Sequence, residues 1–143
     1  MRKKVIAFFI LFISLFVTLP VVADIAVIVH TNNVTKTMSV SDLKNIYNVR
    51  KSRFVDNSPI ILSYQNGENE VSKRFFELVV GRSMMQLNRF WATKIFSGRM
   101  LRPVKLADDQ LVVQWISENK NGIGYIDVTS LTDKVKAIAL ISE

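Results

Sequence analysis

The chain has 143 residues, no cysteine and a formal charge of +7. Without cysteine there are no disulfides, thiolate metal sites, cysteine nucleophiles or lipid-attached cysteine. Arg2, Lys3 and Lys4 account for part of the charge; without them sixteen basic residues face twelve acidic ones. That modest excess is scattered among apolar helical positions, which suits encounters with anions, anionic lipid or acidic protein faces rather than with nucleic acid.

The basic start, the 18-residue apolar run from Val5 to Val22 and the Val21-Val22-Ala23 triplet predict a secretory signal cleaved between Ala23 and Asp24. The run reaches the lower edge of a membrane span, but Pro20 breaks it near its end and Ala23 suits a signal peptidase. Residues 1–23 are therefore expected to be a leader and 24–143 the working domain, periplasmic or secreted.

Ile25 to Val29 reads as a short buried strand ahead of His30 and the polar Thr31-Asn32-Asn33. A helix is predicted from Ser39 or Ser41 to about Val49, with Ser41 capping near Lys44 and Val40, Leu43, Ile46 and Tyr47 as its apolar stripe. Asp56-Asn57-Ser58-Pro59 turns the chain into a second strand, Ile60 to Tyr64. Gln65 to Glu70 then connects this strand to a helix capped by Asn69 and bearing Val71, Phe75, Leu78 and Val79. A strand that ends in a glycine-containing turn and opens onto a helix start is a sound place for a small anion, although ordinary α/β connections use the same turn chemistry.

Gly81-Arg82-Ser83 starts a further helix through Leu87, Phe90, Trp91, Ile95 and Phe96 to Ser97-Gly98, its aromatic residues read as packing. Beyond Pro103, Asp108 to Asn119 forms another amphipathic helix, with Asp108 and Asp109 as capping charges. Asn121 to Gly124 reads as a breaker, followed by late strands at Tyr125–Asp127 and Val135–Ile141. No repeat or linker divides residues 24–143, and no oligomeric state follows from the pattern.

Several of these segments together resemble the phosphate-binding proteins that serve ABC transporters, within the type II periplasmic binding-protein superfamily. They are Ile25 to His30 with Asn33, Met38 to Tyr47 with Arg50 to Phe54, Ser58-Pro59-Ile60 leading to Gln65-Asn66-Gly67-Glu68, Phe75-Phe76, Trp91 to Gly98, Gly122 to Ile126, and Val135 to Ile138. The resemblance implies an α/β fold, a single compact three-layer-like domain equivalent to one lobe of a two-lobed binding protein. It also implies noncovalent capture of phosphate or another small oxyanion, with a membrane transporter or sensor protein as partner. The family's Gly-Ser-Gly-Thr-like run is replaced here by Gln65 to Ser72, in which Glu68 and Glu70 would repel phosphate if they faced it.

The expected ligand donors are Gln65, Asn66, the amides from Gly67 through Glu68 and Asn69 to Ser72, and the hydroxyls of Ser63 or Ser72. Arg53 or Arg82 would supply a guanidinium fork. Gly124 and Tyr125 resemble the family segment where a strand returns toward the cleft; their plainer roles are backbone accommodation and packing. No cofactor, metal site or catalytic residue is expected: His30 is the lone histidine, and no triad, P-loop or calcium loop is present. The competing reading is a protein-interaction or sensor-accessory lobe that keeps the fold without the ligand chemistry.

Overall fold

The computed structural model describes residues 24–142; the expected leader and its cleavage site lie outside the described residues. Strand β1 (Ile25–His30) is buried on both faces. Because side chains alternate along a strand, Ile25, Val27 and Val29 enter one core while Ala26 and Ile28 enter the other.

Helix α1 (Val40–Tyr47) follows, capped by Ser39 rather than Ser41: the Ser39 hydroxyl accepts the Asp42 amide at 3.1 Å. It stops short of Val49, which takes the left-handed conformation at φ 59°. β2 (Ile61–Gln65) leads to α2 (Glu70–Phe75), where Asn69 caps the Ser72 amide at 2.9 Å. The helix then widens into a π-turn over Phe76–Val80 and ends at Gly81. Widening frees carbonyls at the helix end, and Asn48 Nδ2 donates to that of Val80 at 3.2 Å.

A reciprocal Ser83–Gln86 capping box opens α3 (Met84–Phe96). Its buried Trp91 donates its indole N–H to the Tyr47 carbonyl at 2.9 Å, tying α3 to α1. The predicted elements omit β3 (Val104–Leu106), three residues too short to show a period. α4 (Asp109–Glu118) is capped by Asp108 through the Leu111 amide.

β4 (Gly122–Asp127) begins where a breaker was expected. Its glycines serve packing: a Cβ on Gly122 would come within 2.6 Å of the Trp115 ring, and one on Gly124 within 2.5 Å of Ser63 Oγ and 2.8 Å of Val112 Cγ1. They let α4 lie close against the sheet. A 3₁₀ turn at Val128–Ser130 precedes β5 (Val135–Ile141).

The five strands form one sheet in the order β3-β2-β4-β1-β5. β2 runs parallel to β3 and β4, whereas β1 is antiparallel to both β4 and β5. α1, α2 and α3 cover the face bearing Val27, Tyr125 and Ile138; α4 covers the face bearing Ala26, Ile28 and Ile126. The result is three layers, helices–sheet–helix, each fully buried aliphatic side chain contributing about 1.5–3 kcal/mol. Among the described residues, no helix is long and apolar enough to cross a membrane.

Candidate functional site

β2, β3 and β4 are parallel, so their carboxyl ends share one edge of the sheet, the edge where open α/β folds hold ligands. Two layers of polar groups occupy it. The inner layer is buried and centres on Gln65, the last residue of β2, only 1% exposed. Gln65 Nε2 donates to Asp109 Oδ1 at 2.7 Å and to the Tyr125 carbonyl at 2.9 Å, while Oε1 accepts from Asn69 Nδ2 at 3.0 Å. Its backbone N–H donates to the Tyr125 hydroxyl at 2.9 Å, which also meets Ser72 Oγ at 2.8 Å.

Asp109 extends this network by accepting the Asp127 amide at 3.1 Å and the Ser130 hydroxyl at 2.7 Å on its second oxygen. One carboxylate thus joins the start of α4 to β2, β4 and the turn after β4, a role beyond the capping charge read from sequence. Tyr125 stacks on Phe75 with ring centroids 4.0 Å apart, and burial pushes its phenol up to about 12, opposed by the bonds from Ser72 and Gln65. Tyr47, whose hydroxyl donates to the Ser63 carbonyl at 3.0 Å, is raised further by burial and by Tyr125 nearby.

The outer layer is an open cleft of about 380 Å³ lined by Tyr64, Asn66, Gly67, Glu68, Lys73, Met84, Asn88 and Lys105. The turn is set by Asn66, whose Oδ1 accepts the Glu68 amide at 3.3 Å. Gly67 is required for space: a Cβ there would come within 2.9 Å of Met84 Cγ. Lys73 Nζ stands 3.8 Å from Glu70, an exposed pair that adds little stability. Lys105 enters from β3 and Asn88 from α3, so lysines from two elements face a rim carrying one carboxylate, Glu68. Burial raises the Tyr64 phenol and nearby Arg102 opposes the shift.

The residues singled out from sequence therefore separate. Asn66, Gly67 and Glu68 line the cleft. Gln65, Asn69 and Ser72 belong to the inner network, where their side-chain polar groups bond to one another, Asp109 and Tyr125. Ser63 is buried and donates to the Ile123 carbonyl at 2.8 Å. Gly124 and Tyr125 lie in the core of β4, the glycine under Val112 and the tyrosine 1% exposed. Arg82 lines the neighbouring hollow with Gly67 and Lys73, its guanidinium 4.4 Å above the Phe90 ring. Arg53 is elsewhere, donating to the Asn57 carbonyl at 2.8 Å and lining a hollow with Pro59 and Arg99. Arg53 is thus not brought to the turn after β2. Lys73, Asn88 and Lys105 were missed because each looks like ordinary solvated surface along its own element.

No family model matches the chain, and no curated protein matches it by sequence. Solved structures do resemble it. One is described as a phosphate ABC transporter substrate-binding protein from Clostridium perfringens with bound phosphate: TM-score 0.66, 22% identity, covering 81% of this chain and 45% of that one. An ABC-type phosphate transport receptor from Vibrio cholerae has TM-score 0.65 and 16% identity, over 81% and 47% of the two chains. PstS from Borrelia burgdorferi has TM-score 0.60 and 12% identity, over 82% and 48%. The likeness is one of fold: an α/β domain that resembles a lobe of these structures. The chain spans just under half the length of each of these structures.

Proposed function

We propose that this chain is a non-enzymatic, extracytoplasmic binding lobe that captures a small oxyanion, phosphate first among the candidates, in the cleft at the end of β2. The carrying observation is the convergence of Lys73 and Lys105 on the Asn66–Glu68 turn. An ammonium about 4 Å from a unit negative charge contributes roughly 4 kcal/mol of gross attraction at an effective dielectric near 20, before desolvation is subtracted. Asn66, Asn88 and the Tyr64 hydroxyl add directed donors. The buried network beneath them acts as the scaffold that fixes the turn. The names of the fold neighbours, which carry phosphate and ABC transport, support the ligand class and a membrane transporter as partner. A leader ending at Ala23 would put the lobe in the periplasm or outside the cell.

The test is isothermal titration of residues 24–143 with phosphate, against sulfate, at low and physiological salt. Saturable heat that weakens with salt and is lost in Lys73→Ala/Lys105→Ala is the expected result. Folded protein without such heat would refute the reading. One observation favours the accessory-lobe alternative: Gln65, Asn69 and Ser72, the donors nearest the turn, hydrogen-bond to one another's network instead of to the cleft. That alternative predicts no phosphate heat and an unchanged melting temperature with added phosphate.

A further inference from the structure

Although the basic residues are interspersed with apolar ones, they outnumber the acidic residues in one segment of the chain. Residues 78–107 hold Arg82, Arg89, Lys94, Arg99, Arg102 and Lys105 and no carboxylate, whereas the rest of residues 24–143 carries ten basic and twelve acidic side chains. Among the described residues, none of these six cations forms an ion pair. Arg82 and Lys94 lie over the Phe90 ring, at 4.4 and 5.3 Å from its centroid.

The loop after α3 joins this charge to apolar surface. Phe96 is 92% exposed and Leu101 60%, and Ser97, Gly98, Arg99 and Arg102 are exposed with them. Gly98 turns the chain at φ 70°, and a Cβ added there would meet nothing within 4 Å. Two large exposed apolar side chains and two exposed guanidiniums therefore fall within seven consecutive residues, whereas isolated exposed apolar residues are ordinary.

We propose that the 96–102 loop is a docking surface for an anionic phospholipid bilayer. Charge complementarity selects the partner: guanidinium forks match headgroup phosphates, and the loop has no carboxylate to oppose them. Exposed apolar side chains beside guanidiniums suit a bilayer rather than a protein, since an interfacial layer accepts Phe96 and Leu101 without a pre-shaped pocket. The surface adjoins the cleft, since Phe96 and Arg102 line a hollow with Tyr64, Asn88 and Lys105, but it does not include Asn66 or Lys73, and the inference stands whether or not phosphate binds in the cleft.

The experiment is sedimentation of residues 24–143 with vesicles of phosphatidylcholine alone and of equal parts phosphatidylcholine and phosphatidylglycerol. Binding to the anionic vesicles only, weakened by salt, is expected. Arg99→Gln/Arg102→Gln should lower partitioning roughly 25-fold, about fivefold per charge. Phe96→Ser/Leu101→Ser should remove the binding that survives salt, and Lys73→Ala should leave partitioning unchanged. All these positions are exposed, so circular dichroism should show each variant folded. Absence of binding, equal binding to both vesicles, or binding lost in Lys73→Ala but retained in the arginine variant would overturn the proposal. Retention on polyglutamate without vesicle binding would also overturn it and point to an acidic protein face.

Discussion

Tyr125→Phe separates scaffold from ligand contact, because it deletes one hydroxyl and keeps the ring that stacks on Phe75. That hydroxyl accepts the buried Gln65 N–H and pairs with Ser72 Oγ. Ser72 can rotate its hydroxyl, but the Gln65 amide is left unpaired, at a cost of about 1–3 kcal/mol. A domain of this size loses about 4 °C per kcal/mol, so melting should fall by about 4–12 °C. The pH dependence adds a second signature. Burial raises the Tyr125 phenol to about 12, above its unfolded value near 10. A raised acid contributes stability fully present below the unfolded value and lost as pH climbs through the folded one. Wild type should therefore lose about 2–3 kcal/mol from this group between roughly pH 10 and 12, a loss absent from the variant. The gap between the two proteins in urea unfolding should narrow over that window, while phosphate affinity at neutral pH stays within about twofold. Unchanged stability with a tenfold loss of phosphate affinity would refute the scaffold assignment and make Tyr125 a ligand group.

Gly124→Ala forces a Cβ against Ser63 Oγ and Val112, and overpacking of this kind should cost about 1–3 kcal/mol in urea unfolding; an unchanged midpoint would mean that α4 does not press on β4 as described. Glu68→Gln removes the carboxylate on the cleft rim and should tighten phosphate binding by up to about fivefold at low salt, the scale of an exposed charge contact. Equal titration curves for that variant and wild type would put Glu68 away from the bound anion. Gly67→Leu should block the cleft and abolish phosphate heat at a stability cost of about 1–3 kcal/mol, because the new Cβ meets Met84 Cγ and Cβ, the near end of that side chain; retained affinity in the folded variant would move the ligand off the turn.

Much of the fold was legible because hydrophobic period and cap chemistry are local. The run from Ile25 to Val29, the stripe through Leu43, Ile46 and Tyr47, and the caps at Asn69 and Asp108 each depend on neighbours within a few residues. β3 was hidden by its length, and Gly122 and Gly124 read as a breaker because their need is set by Trp115, Ser63 and Val112 across a packed layer.

The candidate site divided along the same line. Sequence by itself determined a single α/β domain and marked Asn66, Gly67 and Glu68, since a glycine turn between a strand and a capped helix is written in consecutive residues. Tertiary structure alone decided that Gln65 would face Asp109, 44 positions away, and Tyr125, 60 positions away, with Ser72 completing the network. It also brought Lys73, Asn88 and Lys105 from three elements around the turn. A side chain's surroundings depend on strand order and on which helix covers which face, quantities that no local window of sequence contains.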